Sequence, residues 1–315
     1  MGFYDAIRIG ASGAADSAYT VERSLRFNDD DNAYLNRTPS STSNRKTFTI
    51  SWWFKLGTLG TIRAFFGAYD NSTSGNDSYY FSCIISNQGI NLGAWNQSWL
   101  KTNRLFRDPS SWYHCVVAYD TTQSTADNRV RMYINGVEET SFAQRNNPSQ
   151  NFDLGWNFSS QMQTIGRVNY LAGSGPYPFD GYIAEFNSID GLQLTPSSFG
   201  ETDATTGQWV PKEYSGSYGT NGFYLKFSDN SAATATTLGK DLSGNGNNFT
   251  PNNFATTDAV KDSPTNNFCT LNQLSRTNKT ESEGNLKTRA NDGAWRSGST
   301  TFHMSSGKWY WELHV

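Results

Sequence analysis

The chain has 315 residues, among them 28 Gly, 20 Phe, 16 Tyr and 10 Trp, with 36% hydrophobic residues and a formal charge of −3. That charge gives no electrostatic footprint for nucleic acid or an anionic membrane, and no run approaches the roughly 20 apolar residues of a membrane-crossing helix. No window keeps a helical period over several turns, while Asn, Ser and Thr crowd the connections, so the pattern is that of an all-β protein.

MGFYDAIRIGASG carries Asp5 and Arg8 and no apolar segment, which argues against a secretion signal. In residues 1–22, Phe3, Tyr4, Ile7 and Ile9 suit an N-terminal anchoring arm or an added strand, with a frayed terminus as the alternative. Leu25, Phe27, Tyr34 and Leu35 fall in two opening strands around the acidic turn Asp29-Asp30-Asp31. In residues 47–55, Phe48, Ile50, Trp52 and Phe54 share one face of a strand. Further strands are expected over 64–68, 79–86 and 89–95. Trp112 to Tyr119 is aromatic and β-branched, and Val130, Met132 and Ile134 alternate with polar partners. Asn135-Gly136 then supplies the two positive-φ positions of a tight hairpin. Met162 to Arg167 and Gly181 to Ser188 are late strands, and Leu194-Thr195-Pro196 with residues 197–200 a short helical turn. Cys83, Cys115 and Cys269 lack metal-ligand spacing. Cys115 reads as a small core residue, a Cys83–Cys115 bridge is the alternative, and the odd count suits a reducing cytoplasm.

Four stretches, SLRFNDDDNAYL, TFTISWWFKLG, SWYHCVVAYD with VRMYINGVEE, and FDGYIAEFNSIDGLQLTPSSFGE, resemble in order the strands of laminin-G-like, concanavalin A-like jelly rolls. The resemblance implies an antiparallel two-sheet jelly-roll sandwich over residues 23–201, followed by a loop-rich β C-terminal region. Residues 202–299 read as an Asn/Gly/Ser-rich bridge. Within it GFYLKFSDNS and GKDLSGNGNNFTPNNF (222–254) resemble the opening of a second such unit. SSGKWYWELHV, within 300–315, resembles the first strand of a SPRY domain, which implies a longer polypeptide. The combination resembles tail-fibre or receptor-binding proteins of bacteriophages.

Glucanases on this roll use carboxylates spaced E-x-D-x-E on one strand, about 5 Å apart. No such triplet occurs here, and Glu185 and Asp190 fall on opposite strand faces. His114, in the central strand, reads as a structural histidine and not as a base. The family also implies Ca²⁺ at a rim loop, for which Asp120, Asp127 and Asn128 supply hard oxygen donors, with ordinary Asx turns as the alternative. Sugar recognition needs aromatic faces and planar amides, which Trp95, Asn96, Gln97 and Trp99 offer together, with Tyr170 and Tyr177 as a second group; in a chain 15% aromatic, Trp that simply fill the sandwich are the alternative. The expected function is therefore a non-enzymatic subunit of a phage tail, assembled in the host cytoplasm. It would form a homo-oligomer, with a trimer favoured, and contact host surface polysaccharide and other tail proteins. A purely structural connector and a polysaccharide depolymerase are the alternatives.

Overall fold

The computed structural model describes residues 19–60, 62–69, 80–94, 97–168, 176–275, 278–310 and 312, with Gln97 described in its backbone only. In chain order the strands begin with β1 (Ser24–Phe27), β2 (Tyr34–Arg37), β3 (Thr47–Leu56), β4 (Arg63–Tyr69) and β5 (Phe81–Ser86). There follow β6 (Gly89–Ala94), β7 (Gln97–Thr102), β8 (Tyr113–Asp120), β9 (Val130–Ile134) and β10 (Val137–Glu138). The next are β11 (Phe142–Arg145), β12 (Met162–Ile165), β13 (Gly181–Asp190), β14 (Gly200–Thr202) and β15 (Trp209–Pro211). Last come β16 (Phe223–Leu225), β17 (Thr250–Asn252), β18 (Ala259–Val260), β19 (Lys279–Ser282) and β20 (Lys287–Ala290).

Two antiparallel eight-stranded sheets face each other. The first runs β10-β9-β8-β3-β13-β1-β18 with β16 also on β13, and the second runs β11-β7-β6-β5-β4-β12-β2-β17. Alternation explains their pairing. Phe48, Ile50, Trp52 and Phe54 point inward from β3, Cys115, Val117 and Tyr119 from β8, and Val130, Met132 and Ile134 from β9. Phe66, Ala68, Phe81, Cys83, Ile85, Ile90 and Leu92 of the second sheet meet them, so the long strands follow the expected pattern. Asn135 and Gly136 take φ of 47° and 81°, as the hairpin requires. Cys83 and Cys115 are buried core thiols without a bridge.

The domain boundaries differ from the sequence reading. Strand β16 adds to β13, β17 to β2 and β18 to β1, so residues 223–260 complete the same sandwich instead of opening a second roll or bridging to one. These strands are only two or three residues long, too short for a periodic signal. Side-chain bonds to the backbone hold them instead. Both oxygens of Asp241 accept backbone N–H groups, from Tyr224, Ser243 and Asn247, while Asn245 and Asn247 donate to carbonyls of residues 219–222. At the other end, Val21 exchanges bonds with Thr265 and Ser263, so residues 19–22 belong to the body and not to an arm. Residues 302–310 form no strand, and Trp309 and Tyr310 are exposed there.

The outer face of the first sheet is covered by the chain itself. Val116, Ala118, Tyr133 and Ile189 pack under Phe199, Leu194, Tyr214 and Tyr218, and Trp53 and Ala184 under Tyr19, Val21 and Trp209. Trp209 fits because Gly136 and Gly200 leave room for it; a Cβ at either would lie 2.4 or 2.6 Å from the indole.

Candidate functional site

With the first sheet sealed, half-exposed polar side chains gather on the outer face of the second. Leu35 points into the core from β2, so its neighbours Tyr34 and Asn36 point out. The Arg167 guanidinium lies 4.4 Å from the centre of the Tyr34 ring. Asn252 on β17 donates to Asn36 Oδ1 at 2.6 Å, and Asn36 Nδ2 approaches Met162 Sδ at 3.4 Å. Beside them Tyr69 is buried, which pushes its hydroxyl up to about 12, partly opposed by Arg167; that hydroxyl has no partner among the described residues. Across the sheet Asn91 donates to Ser98 Oγ at 3.1 Å. An aromatic face, a guanidinium and several planar amides on one surface suit a hydroxyl-rich, ring-shaped ligand.

Of the residues expected to bind a ligand, Tyr177 is half-buried on this face against Ala64, Tyr69 and Val168. Trp99 is not available. The β6–β7 register shifts between Leu92 and Gly93, and the resulting bulge turns Trp99 into the core against Phe81, Tyr119 and Phe152. Trp95, Asn96, Tyr170 and the Gln97 side chain lie outside the described residues, as do Phe3, Tyr4, Ile7 and Ile9. Tyr34, Asn36, Arg167 and Asn252 were not singled out from sequence; the alternation in YLNR was the available signal for the first two.

The rim loop does not suit Ca²⁺. Asp120 accepts from Thr47, Thr122 and Gln123, Asp127 pairs with Arg145 at 3.0 Å and Asn147, and Asn128 accepts from Arg131. Their oxygens face separate donors, and two guanidiniums would oppose a cation. In the second acidic turn Asp29 pairs with Arg63 at 2.5 Å and Asp31 accepts from Asn28. No cluster of three or more His, Cys, Asp or Glu occurs among the described residues.

A serine–histidine pair does occur, with its protons placed against catalysis. Ser51 Oγ lies 2.8 Å from His114 Nε2, and Trp209 Nε1 donates to His114 Nδ1 at 2.9 Å. Indole N–H is a donor only, so Nδ1 carries no proton and Nε2–H donates to the serine. The nitrogen facing Ser51 therefore cannot take its proton. His114 is stacked on Trp53, 4.7 Å between ring centres, and burial pulls it down to about 3.

A family model described as the concanavalin A-like lectin/glucanases superfamily matches residues 28–198. No curated protein matches the chain. Among solved structures, a native heptameric SAP-like pentraxin from Limulus polyphemus is 13% identical over 56% of this chain and 78% of that one, with a TM-score of 0.39. The leech intramolecular trans-sialidase is 17% identical over 52% of this chain and 27% of the enzyme, with a TM-score of 0.38. Domains LG4-5 of the mouse laminin alpha1 chain are 13% identical over 57% of this chain and 44% of that one, with a TM-score of 0.39. The chain thus spans about a quarter of the leech enzyme and under half of the laminin fragment. At such identities and scores these are likenesses in fold and carry no argument about ligand.

Proposed function

The chain belongs to the concanavalin A-like lectin/glucanases superfamily, and from that premise we propose that it is a non-catalytic subunit that holds saccharide on the outer face of its second sheet. The observation that carries this reading is the asymmetry of the sandwich. Residues 194–218 together with Tyr19 and Val21 seal the outer face of the first sheet, while Tyr34, Asn36, Arg167 and Asn252 stay half-exposed on the second. The setting we propose is a bacteriophage tail fibre, in which several copies contact host surface polysaccharide and multivalency makes weak single sites sufficient. The inverted Ser51–His114 proton arrangement supports binding without cleavage.

Tyr34→Ala in the full chain is expected to weaken binding to host polysaccharide about tenfold by removing one stacking face. Ser197→Ala, on the other side of the molecule, should leave it unchanged. Equal binding by wild type and Tyr34→Ala in surface plasmon resonance refutes the assignment of this face. A second reading, a connector between virion proteins, is favoured by the exposed Trp295, Trp309 and Tyr310. Silence on a glycan array together with retention on the particle would favour it.

A further inference from the structure

Strand β13 breaks its own ladder at Glu185. The register with β3 jumps between Ala184 and Asn187, and Glu185 takes φ of 52°, a left-handed conformation that a side-chain-bearing residue adopts only when its surroundings enforce it. The extra residue sends the carboxyl to the outer face, where Tyr19 and Tyr224 bury it. Glu185 Oε2 and the two tyrosine hydroxyls form a triangle with every edge 2.7 Å long.

Three such contacts between oxygens need three hydrogens, and the tyrosines bring two. If the carboxyl were ionised, both would be spent on Oε2 and the Tyr19–Tyr224 edge would be a bare oxygen–oxygen contact. A proton on Oε2 closes the ring: Oε2–H donates to one tyrosine, that tyrosine to the other, and the second back to Oε2. The other oxygen, Oε1, is buried with no donor among the described residues, a cost that is modest for a neutral acid and large for a carboxylate.

We propose that Glu185 is protonated in the folded molecule and acts as a latch that fastens Tyr19 to the outer face of the first sheet, so that deprotonation releases Tyr19 from that face. Its neighbours fit that role. Burial raises Glu185 to about 7; the two tyrosine bonds and Lys226 oppose this, and Glu213 adds to it. Tyr19, Tyr218 and Tyr224 are all held well above the ordinary tyrosine value, so the carboxyl gives up its proton first. Around the ring, Lys226 lies 5.4 Å from the Tyr19 ring, Tyr218 donates to Asn187, and Asp241 accepts the Tyr224 N–H. Val21 has its own anchor on Ser263 and Thr265, so the latch acts at Tyr19 itself.

Two measurements on the full chain test this. The Glu185 carboxyl carbon, followed by ¹³C NMR, should titrate with a midpoint above pH 6; a midpoint below 5 overturns the proposal without need of any variant. Chymotryptic cleavage after Tyr19 should then be compared in wild type and Glu185→Gln at each pH, which cancels the protease's own pH dependence. The wild-type rate relative to the variant should rise at least tenfold between pH 5.5 and 8.5. A flat ratio overturns the proposal. Both readouts are independent of saccharide binding.

Discussion

Asp262→Asn is expected to lower the stability of the chain by about 3–5 kcal/mol, because it strands a charge in the interior. Lys55 projects from the outer face of β3 and is fully buried there. Its ammonium has three N–H donors and meets three acceptors: Asp262 Oδ2 at 2.8 Å, Asn267 Oδ1 at 2.9 Å and the Phe268 carbonyl at 2.8 Å. Asp262 is equally occupied, since its second oxygen accepts Trp112 Nε1 and the Phe268 N–H. Burial pushes the Asp262 carboxyl up, and Lys55 is the largest influence opposing it. The segment DSPTNNF is thereby fastened across β1 and β3, with Ser24 Oγ donating to the Asp262 carbonyl.

Asparagine keeps the shape and removes the counter-charge, so Lys55 must either be lost to water or lose its proton. Lys55→Met with Asp262→Asn removes both charges and should cost less than the sum of the single changes, the sign of a direct coupling. Guanidinium unfolding at pH 7 measures all three. A loss under 1 kcal/mol for Asp262→Asn would mean that the pair is open to water, and sensitivity to 0.5 M salt in the wild type would say the same.

The sandwich could be read from the chain where strands are long and one face is dry. Residues 47–56 and 130–134 place an apolar side chain at every second position on the inner face, and Asn135-Gly136 fixes its hairpin by backbone chemistry alone. What could not be read depends on partners distant in sequence. Lys55 looks like a solvent-facing residue until Asp262, 207 positions later, is placed beside it. Bulges turn Trp99 inward and Glu185 outward, and no residue pattern announces where a strand takes its extra residue. Strands β16 to β18 left no pattern, since polar side chains such as Asp241 and Asn252 define them more than apolar alternation does. The candidate face suffered from composition: in a chain that is 15% aromatic, the short alternation in YLNR is a faint mark of Tyr34 as a surface ring until Leu35 is seen in the core.

Acid should destabilise His114→Gln less steeply than wild type, and Glu185→Gln more steeply, because these two buried groups act in opposite directions. An imidazole depressed from 6.5 to about 3 is neutral in the fold while the unfolded chain takes up a proton. Its contribution is complete above pH 6.5 and is withdrawn as pH falls, by roughly 5 kcal/mol at pH 3. A carboxyl raised from 4.5 to about 7 behaves the other way. Its contribution is complete below pH 4.5 and is lost as pH rises through 7, by roughly 3 kcal/mol. Between pH 7 and 4.5 the two slopes nearly cancel, since His114 withdraws roughly 3 kcal/mol over the same span. Asp180, packed against Gly57 and Thr58 and raised from 3.8 to about 6, adds to the carboxyl side. Asp180 gives roughly 3 kcal/mol more between pH 6 and 3.8, so the wild type should gain stability down to about pH 4 and then fall, as the imidazole and the depressed carboxyls of Asp108 and Asp120 lose their contributions. Glu185→Gln removes that gain and should leave a curve nearly level from pH 7 to about 4, where Asp180 and His114 offset each other, before it falls. His114→Gln keeps a donor for Ser51 and an acceptor for Trp209 but cannot be protonated, so whatever constant amount it costs, the acid limb should flatten. Urea midpoints at pH 8, 6, 4.5 and 3.5 decide this. Parallel curves for wild type and His114→Gln would mean that the imidazole is already accessible to protons in the fold, and with it the stack of Trp53, His114 and Trp209 that closes the outer face of the first sheet.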